Sequence, residues 1–526
     1  MGRPGGQGPL FFLALVMAIA AVACQPGQAS PGATSPAAEG GPLAADRIQI
    51  LHTNDIHGHM DINQTVQGGS GSFTQGGLVA LGSLVQRQRA RAPERTLLLD
   101  GGDAWQGTFI SNENHGGAIT RIMSLLRYDA QAVGNHDFDW GQNELQSRAA
   151  EASFPFLAAN VLDAGGNIPP YLRPYVVKDL GLAKVAVLGI TNPGSASIVK
   201  ATSVGGLRFL PAADTVRRYL PELRRAADLV VVTTHIGVDE DRQLAQDVPG
   251  IDVIVGAHSH TALRAGVTVG KTIIVQTGAY SMNLGHLELV IDPASKRITA
   301  APTRSDELIP VTGGASVDAD SSAIAAIVAE RRDAAAKYTQ RVVGRTASAL
   351  DAPRAECGLG NLITDALLEY GRQQNWKSDI AFYNMAGVRA PLPAGQITYG
   401  QLFQVLPFGN VLVNVDLTGQ QVRAVLEAAS GSAGRLHIAG GQWAYRFSAP
   451  AGQRVSSASI AGAPLDPARV YHVVTIDYLL LGGDDHTEFK AGTNVIYGDI
   501  DVDAVAAYMQ GHSPVDPKVE GRIVQQ

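Results

Sequence analysis

Five polar clusters hold most of the chemistry that this sequence can do. In chain order they are Asp55 with His57, Asp103, Asn135 with His136, His235, and His258 with His260. Each closes an apolar run: "RIQIL" leads into "HTNDIHG", "TLLL" into "DGGD", "AQAV" into "GNHD", "LVVV" into "TTH" and "VIV" into "GAHSH". Every donor is oxygen or imidazole and no cysteine is among them, a mixture that suits a divalent ion such as Zn, Mn or Fe. In Asp55-x-His57 and His258-x-His260 the two side chains are expected to point to one side, because residues i and i+2 of a strand share a face. A single strand-end Asp is commonly a cap, and a single His is commonly structural. His52, His59, His115 and His286 are read in that way. Five such clusters at successive strand ends are too many to be independent caps.

The elements that must position them are short buried strands. From Asp46 to about Pro310, apolar runs alternate with helix-like stretches such as "GGLVALGSLVQRQRA" and "AITRIMSLLRY", the pattern of a layered α/β domain. Sites in such folds gather at the carboxyl ends of strands. This sets a first domain at 46–315. The Ala-, Glu- and Arg-rich segment starting at Ser321 has helical spacing and reads as a linker helix within 316–343. A second domain, 344–526, has helices of its own ("GNLITDALLEYGRQ", "TGQQVRAVLEAAS") and strands of its own ("SDIAFYN", "VLVNVDL", "VYHVVTIDYLL").

The motifs "DIHG", "GGDAWQGT", "GNHDFDWG", "TTHIG" and "GAHSHT", in this order, resemble the calcineurin-like metallophosphoesterase domain. Together with "AECGLGNLITDAL", "YNMAGVRAPLPAGQITYGQLFQVLPFGN" and "YLLLGGDDHTEF", they resemble the 5′-nucleotidase family, which includes UDP-sugar hydrolases, over about Arg47 to the end of the chain. The resemblance implies a four-layer α/β/β/α metallophosphoesterase domain, a linker helix and an α+β substrate-binding domain. It implies two divalent metal ions, Zn, Mn or similar. One would be held by Asp55, His57, Asp103 and His260, the other by Asp103, Asn135, His235 and His258, with Asp103 bridging. Two such ions lower the pKa of a bound water and clamp phosphate oxygens. His136 would be the catalytic histidine and Asp139 its orienting partner. In the second domain, Arg354, Asn384 and Arg389 would bind charged oxygens, Phe408 and Tyr478 would sandwich a base, and Asp484 would accept from ribose hydroxyls. Two departures fall near the pocket mouth: "NMAGVR" replaces the glycine-richer "NxGGxR", and "GGDDHTEF" carries an added acid and a histidine.

The implied activity is release of phosphate from nucleoside 5′-monophosphates, with nucleotide diphosphate sugars and 2′,3′-cyclic nucleotides as further substrates. The same dimetal architecture also serves thiosulfohydrolases, but Phe408 and Tyr478 favour a base-bearing substrate. A non-catalytic binding protein is disfavoured by the complete ligand set. The net charge of −7 over 526 residues argues against a nucleic acid polymer as partner, since phosphate backbones select basic faces. The opening "MGRPGGQGPLFFLALVMAIAAVAC" has a basic start and an apolar run from Leu10 to Ala23, too short to span a bilayer and fitting a secretory signal. Its "AVAC" end resembles a lipoprotein processing box, with Cys24 as the lipidated residue and 25–45 as a Pro/Gly/Ser-rich tether. The expectation is an exported protein, periplasmic or at the cell surface, that meets the membrane only through that anchor. Cys357 is then the one other cysteine, read as a small helix-start residue.

Overall fold

Period-two burial on both faces of the central strands builds the first half of the chain. In strand Arg47–Thr53, Ile48 and Ile50 enter one core and Leu51 another; in Thr96–Asp100, Leu97 and Leu99 enter the first and Leu98 the second. Strands Lys184–Ile190 and Leu229–Thr234 do the same, sending Val185, Val187 and Val231 inward and Leu188, Val230 and Val232 outward. A strand buried on both faces must lie between two layers. The result, in a computed structural model that describes residues 41–61, 64–68, 71–199, 202–300, 307–312, 319–351, 355–431 and 435–526, is a pair of facing sheets with helices outside each.

The first sheet runs in the order Ile298–Ala300, Asn283–Ile291, Arg47–Thr53, Thr96–Asp100, Ala130–Ala132, Phe156–Leu157. Its last four strands are parallel. In the second sheet, Lys184–Ile190, Leu229–Thr234, Val253–Val255 and Thr272–Val275 are parallel. Helices Leu78–Ala90, Gly117–Leu125 and Ala319–Thr339 cover the first sheet. Helices Ala212–Ala226 and Val238–Asp247 cover the second. Parallel strands end together, so the residues that follow Thr53, Asp100, Thr234 and Val255 arrive at one edge.

The second half is a mixed five-stranded sheet, Leu436–Ala439, Ile380–Asn384, Val470–Ile476, Val411–Thr418, Thr493–Ile500, packed with helices Gly358–Gln373, Gly419–Ala429 and Asp501–His512. Helix Gly419–Ala429 begins with a capping box between Thr418 and Gln421.

Two sequence expectations shift. The linker helix stops at Thr339 rather than reaching 343, and Val342–Thr346 pairs antiparallel with Gly395–Thr398. Adjacent β-branched Val342 and Val343, the latter fully buried, favour the strand. The run "VYHVVTIDYLL" is strand only to Ile476. Asp477 accepts from the Val411 amide at 3.1 Å, and Asp477–Leu480 forms a helical turn that buries Leu479 and Leu480.

The two halves meet around Phe109, whose ring lies 5.1 Å from that of Phe403 and 6.0 Å from that of Tyr338. Beside it the Pro407 carbonyl accepts from Asn112 Nδ2 at 2.9 Å and Gln106 Nε2 at 3.3 Å. This contact sets the second half directly over the carboxyl edge of the sheets.

Candidate metal centre and substrate cleft

The strand-end clusters converge, though not by strand alternation. Asp55, His57, Asp103, His258 and His260 all lie past their strands with φ of 50°, 48°, 56°, 76° and 52°. Left-handed backbone costs a non-glycine residue roughly 1–3 kcal/mol, and it persists where the surroundings over-determine it. The i, i+2 argument for a shared face therefore holds for neither pair as stated: sharp loops, not extended backbone, turn these side chains inward, and while Asp55 and His57 join one group, His258 and His260 go to different ones. Close backbone approach completes the packing. A Cβ on Gly134 would lie 2.1 Å from Asp103 Oδ1.

Two groups of potential ligand atoms result: Asp55, His57 and His260, and Asp103, His235 and His258. His260 Nε2 is 3.1 Å from His57 Nε2 and 3.4 Å from Asp55 Oδ1. His57 Nε2 is 3.8 Å from Asp103 Oδ2, and His235 Nε2 is 3.0 Å from it. Asp103 thus touches both groups. Asn135 is buried, and its Oδ1 has no hydrogen-bond partner among the described residues.

The imidazole tautomers are set from behind. His57 Nδ1 donates to the Gln106 carbonyl and His235 Nδ1 to the Gly101 carbonyl, each at 2.8 Å. Both Nε2 atoms are thereby turned inward, the atoms a metal ion would meet. Burial opposes charge on Asp103, yet His235, His136 and His57 around it hold its carboxyl well below the usual range. Burial pushes His235 down, but the Asp103 and Asp55 carboxylates outweigh it and carry the ring to about 10, so its Nε2 holds a proton that an ion would displace. The site calls for positive charge between its carboxylates. Oxygen and imidazole donors of this kind fit divalent ions.

His136 stands outside both groups. Its backbone N–H donates to Asp103 Oδ1 at 2.8 Å, and its ring Nδ1 meets Asp139 Oδ2 at 2.9 Å. Burial lowers the imidazole pKa, but Asp139 and Asp103 reverse this and the net shift is upward.

A cavity of about 250 Å³ opens from this edge. Asn135, His136, Asp139 and His258 line one side; Asn384, Arg389, Phe408, Tyr478 and Asp484 line the other. The last group is internally bonded: Asn384 Nδ2 donates to Asp484 Oδ2 at 2.8 Å and Tyr478 Oη to Asp484 Oδ1 at 2.7 Å. Asn384 and Tyr478 therefore serve Asp484 in this arrangement, while each carboxylate oxygen retains a second lone pair. The Phe408 ring stacks on His136, and the Arg389 guanidinium lies 5.8 Å from the Phe408 centroid. Arg354 and Cys24 lie outside the described residues. Cys357 caps helix Gly358–Gln373, its sulfur accepting from the Gly360 amide at 3.3 Å.

Sequence reading missed the residues that hold the loops. Asp137 accepts from the amides of Gly134 (2.9 Å), Asp103 and Ala104 (3.2 Å each), tying two ligand loops together. Asn54 donates to Asp55 Oδ2 at 2.6 Å and accepts from the Thr277 amide at 2.8 Å. Their presence inside "TNDIHG" and "GNHDFD" was a usable signal. Gln106 orients His57 through its carbonyl, for which side-chain identity gives no signal.

A double sheet with two metal-ligating groups at its carboxyl edge defines a metallophosphoesterase domain. The family described as calcineurin-like phosphoesterase matches residues 48–262, and the 5′-nucleotidase C-terminal domain matches residues 335–491. The chain is 30% identical to a 5′-nucleotidase of Diplobatis ommata over 92% of this chain and 91% of that one. Among solved structures it resembles a 5′-nucleotidase precursor from Thermus thermophilus, with 31% identity, a TM-score of 0.82, and coverage of 91% and 99%. It also shares the fold of a sulfate thiohydrolase from the same organism, at 20% identity, a TM-score of 0.76, and coverage of 92% and 97%. The chain belongs to the 5′-nucleotidase family. It is a metal-dependent phosphoric ester hydrolase that works with two divalent ions.

Proposed function

We propose that the substrate is a nucleoside 5′-monophosphate, bound with its phosphate at the metal edge and its base toward Phe408 and Tyr478. The observation that carries this reading is the cavity joining the two: His136 and His258 on one side, two aromatic rings and a carboxylate on the other. Asp55, His57, Asp103 and His260 would hold one ion, and Asp103, Asn135, His235 and His258 the other. Such a pair supplies Lewis-acid activation of phosphoryl oxygen and of the attacking water. The protein's own residues do the rest. Arg389 presents a planar fork to phosphate oxygens. His136, protonated and held by Asp139, faces the charge that develops on the leaving oxygen. Asp484, positioned by Asn384 and Tyr478, accepts from ribose hydroxyls. Arg354 would add a second cation to the phosphate end.

Aromatic stacking is tolerant of base identity and is worth about 1–3 kcal/mol per stacked base at other nucleic-acid sites. Metal-reconstituted protein should therefore cleave several nucleoside monophosphates with comparable kcat/KM. Each should exceed a base-free alkyl phosphate by roughly ten- to a hundredfold. A panel that adds nucleotide diphosphate sugars, 2′,3′-cyclic nucleotides and a thiosulfonate substrate checks this. Preference for the thiosulfonate, or no preference for a base, would overturn the reading.

Export is proposed from the N-terminal sequence alone. Among the described residues no helix is long and apolar enough to cross a membrane, and the "AVAC" box offers Cys24 as the point of attachment. Cys24→Ala should move the protein from the membrane fraction to the soluble exported fraction. Unchanged partition on fractionation would remove the anchor.

A further inference from the structure

We infer that Phe408 is a positioning residue for His136: a ring from the second domain that fixes the histidine through its face, in addition to meeting a base. The two rings are stacked, with centroids 5.4 Å apart and planes inclined by 27°. His136 is also held by its edge at Asp139, by its backbone at Asp103 and by the His57 ring, which meets it edge-on with centroids 5.4 Å apart. None of these lies flat against the imidazole. The Phe408 ring does, and a flat aromatic face limits rotation of the imidazole out of its plane. The Arg389 guanidinium approaches the same phenyl ring.

The loop that carries Phe408 is tied to the metal-bearing half. Pro407, its chain neighbour, accepts through its carbonyl from Asn112 Nδ2 at 2.9 Å and Gln106 Nε2 at 3.3 Å. The same Gln106 uses its own carbonyl to orient His57. Seating the second domain on the first thus places the Phe408 ring and completes the support of His136 in one motion. A hydrolase built in this way is competent only when the domains are docked, whether or not its substrate has a base. Base stacking alone carries no such requirement for a substrate that lacks a ring.

The inference rests on reading the site as a phosphoester hydrolase with His136 acting on the leaving group. Its test uses glycerol 3-phosphate, which has no ring to stack. Phe408→Leu removes the π face and keeps most of the bulk. It should lower kcat on glycerol 3-phosphate by about tenfold with little change in KM. Phe408→Trp should restore most of the rate. Asn112→Ala, which loosens the Pro407 carbonyl and leaves the ring intact, should give a smaller loss in the same direction. In a His136→Ala background, Phe408→Leu should cost nothing further, because the two residues act as one unit. Metal content should remain at the wild-type level throughout. A wild-type kcat for Phe408→Leu on glycerol 3-phosphate would overturn the inference, as would an equal further loss on top of His136→Ala. The nucleotide reading fails differently: the wild-type protein would cleave glycerol 3-phosphate and no nucleotide.

Discussion

Asp103→Asn is expected to abolish turnover and metal binding together. Asp103 belongs to the ligand group of His235 and His258, 3.0 Å from His235 Nε2, and comes within 3.8 Å of His57 Nε2 in the other group, the position proposed for a bridging carboxylate. Its other oxygen accepts from the His136 amide at 2.8 Å. Asparagine keeps the shape and one acceptor but removes the negative charge around which His57, His136 and His235 are gathered. Four ligand imidazoles, Asn135 and a buried Asp55 would remain, with one carboxylate to balance two dications. Metal ions contribute several kcal/mol of transition-state stabilisation, so kcat should fall by a factor on the order of 10³ or more. Elemental analysis of the purified variant should show less than one ion per chain. Added metal should not rescue it, because the deficit lies in the ligand set. Full metal content with near-normal kcat would remove Asp103 from the bridging position.

The same residue shows where sequence was enough and where it was not. "TLLLDGGD" predicts a buried strand ending in an acid, and the strand, its end and the acid are all in place. Apolar runs dictate buried strands, which is why a layered α/β domain was legible at Ile48–Leu51 and Val185–Leu188, whereas the two-sheet arrangement was implied by the family resemblance alone. What the pattern could not convey is backbone of positive φ. Asp and His are enriched in left-handed backbone, but that preference is too weak to place a turn at Asp55, His57 or His260, where surrounding contacts such as Asn54 to Thr277 and Asp137 to Gly134 impose it. The linker helix shows a related limit. Its composition is helical up to Thr339, and only pairing with the sequence-distant Gly395–Thr398 converts Val342–Thr346 to strand. In the cleft, motif position picked out Asn384, Tyr478 and Asp484 separately. That they are hydrogen-bonded to each other is a tertiary fact, invisible to spacing.

His136→Ala should part company with Asp103→Asn on metal content. The His136 ring belongs to neither ligand group. Its link to Asp103 runs through the backbone amide, which alanine retains. The variant should therefore purify with its full complement of ions, while kcat falls by about 10²–10⁴-fold, the usual contribution of a positioned acid–base or electrostatic group. Asp139→Asn gives an intermediate case. An amide oxygen can still accept from Nδ1 at the 2.9 Å position, but the charge that favours the imidazolium is gone. Losing one charge-assisted contact corresponds to roughly a ten- to hundredfold loss in kcat. The ordering is diagnostic. If His136 acts as a cation opposite the leaving oxygen, the losses should rank Asp103→Asn, His136→Ala, Asp139→Asn, with metal lost only in the first. They should also be greatest for poor leaving groups, where charge on the departing oxygen is largest. Stoichiometric metal loss from His136→Ala would instead make its ring a ligand, and the upward pull of Asp139 on that ring would then oppose function, because a ligating imidazole must be neutral.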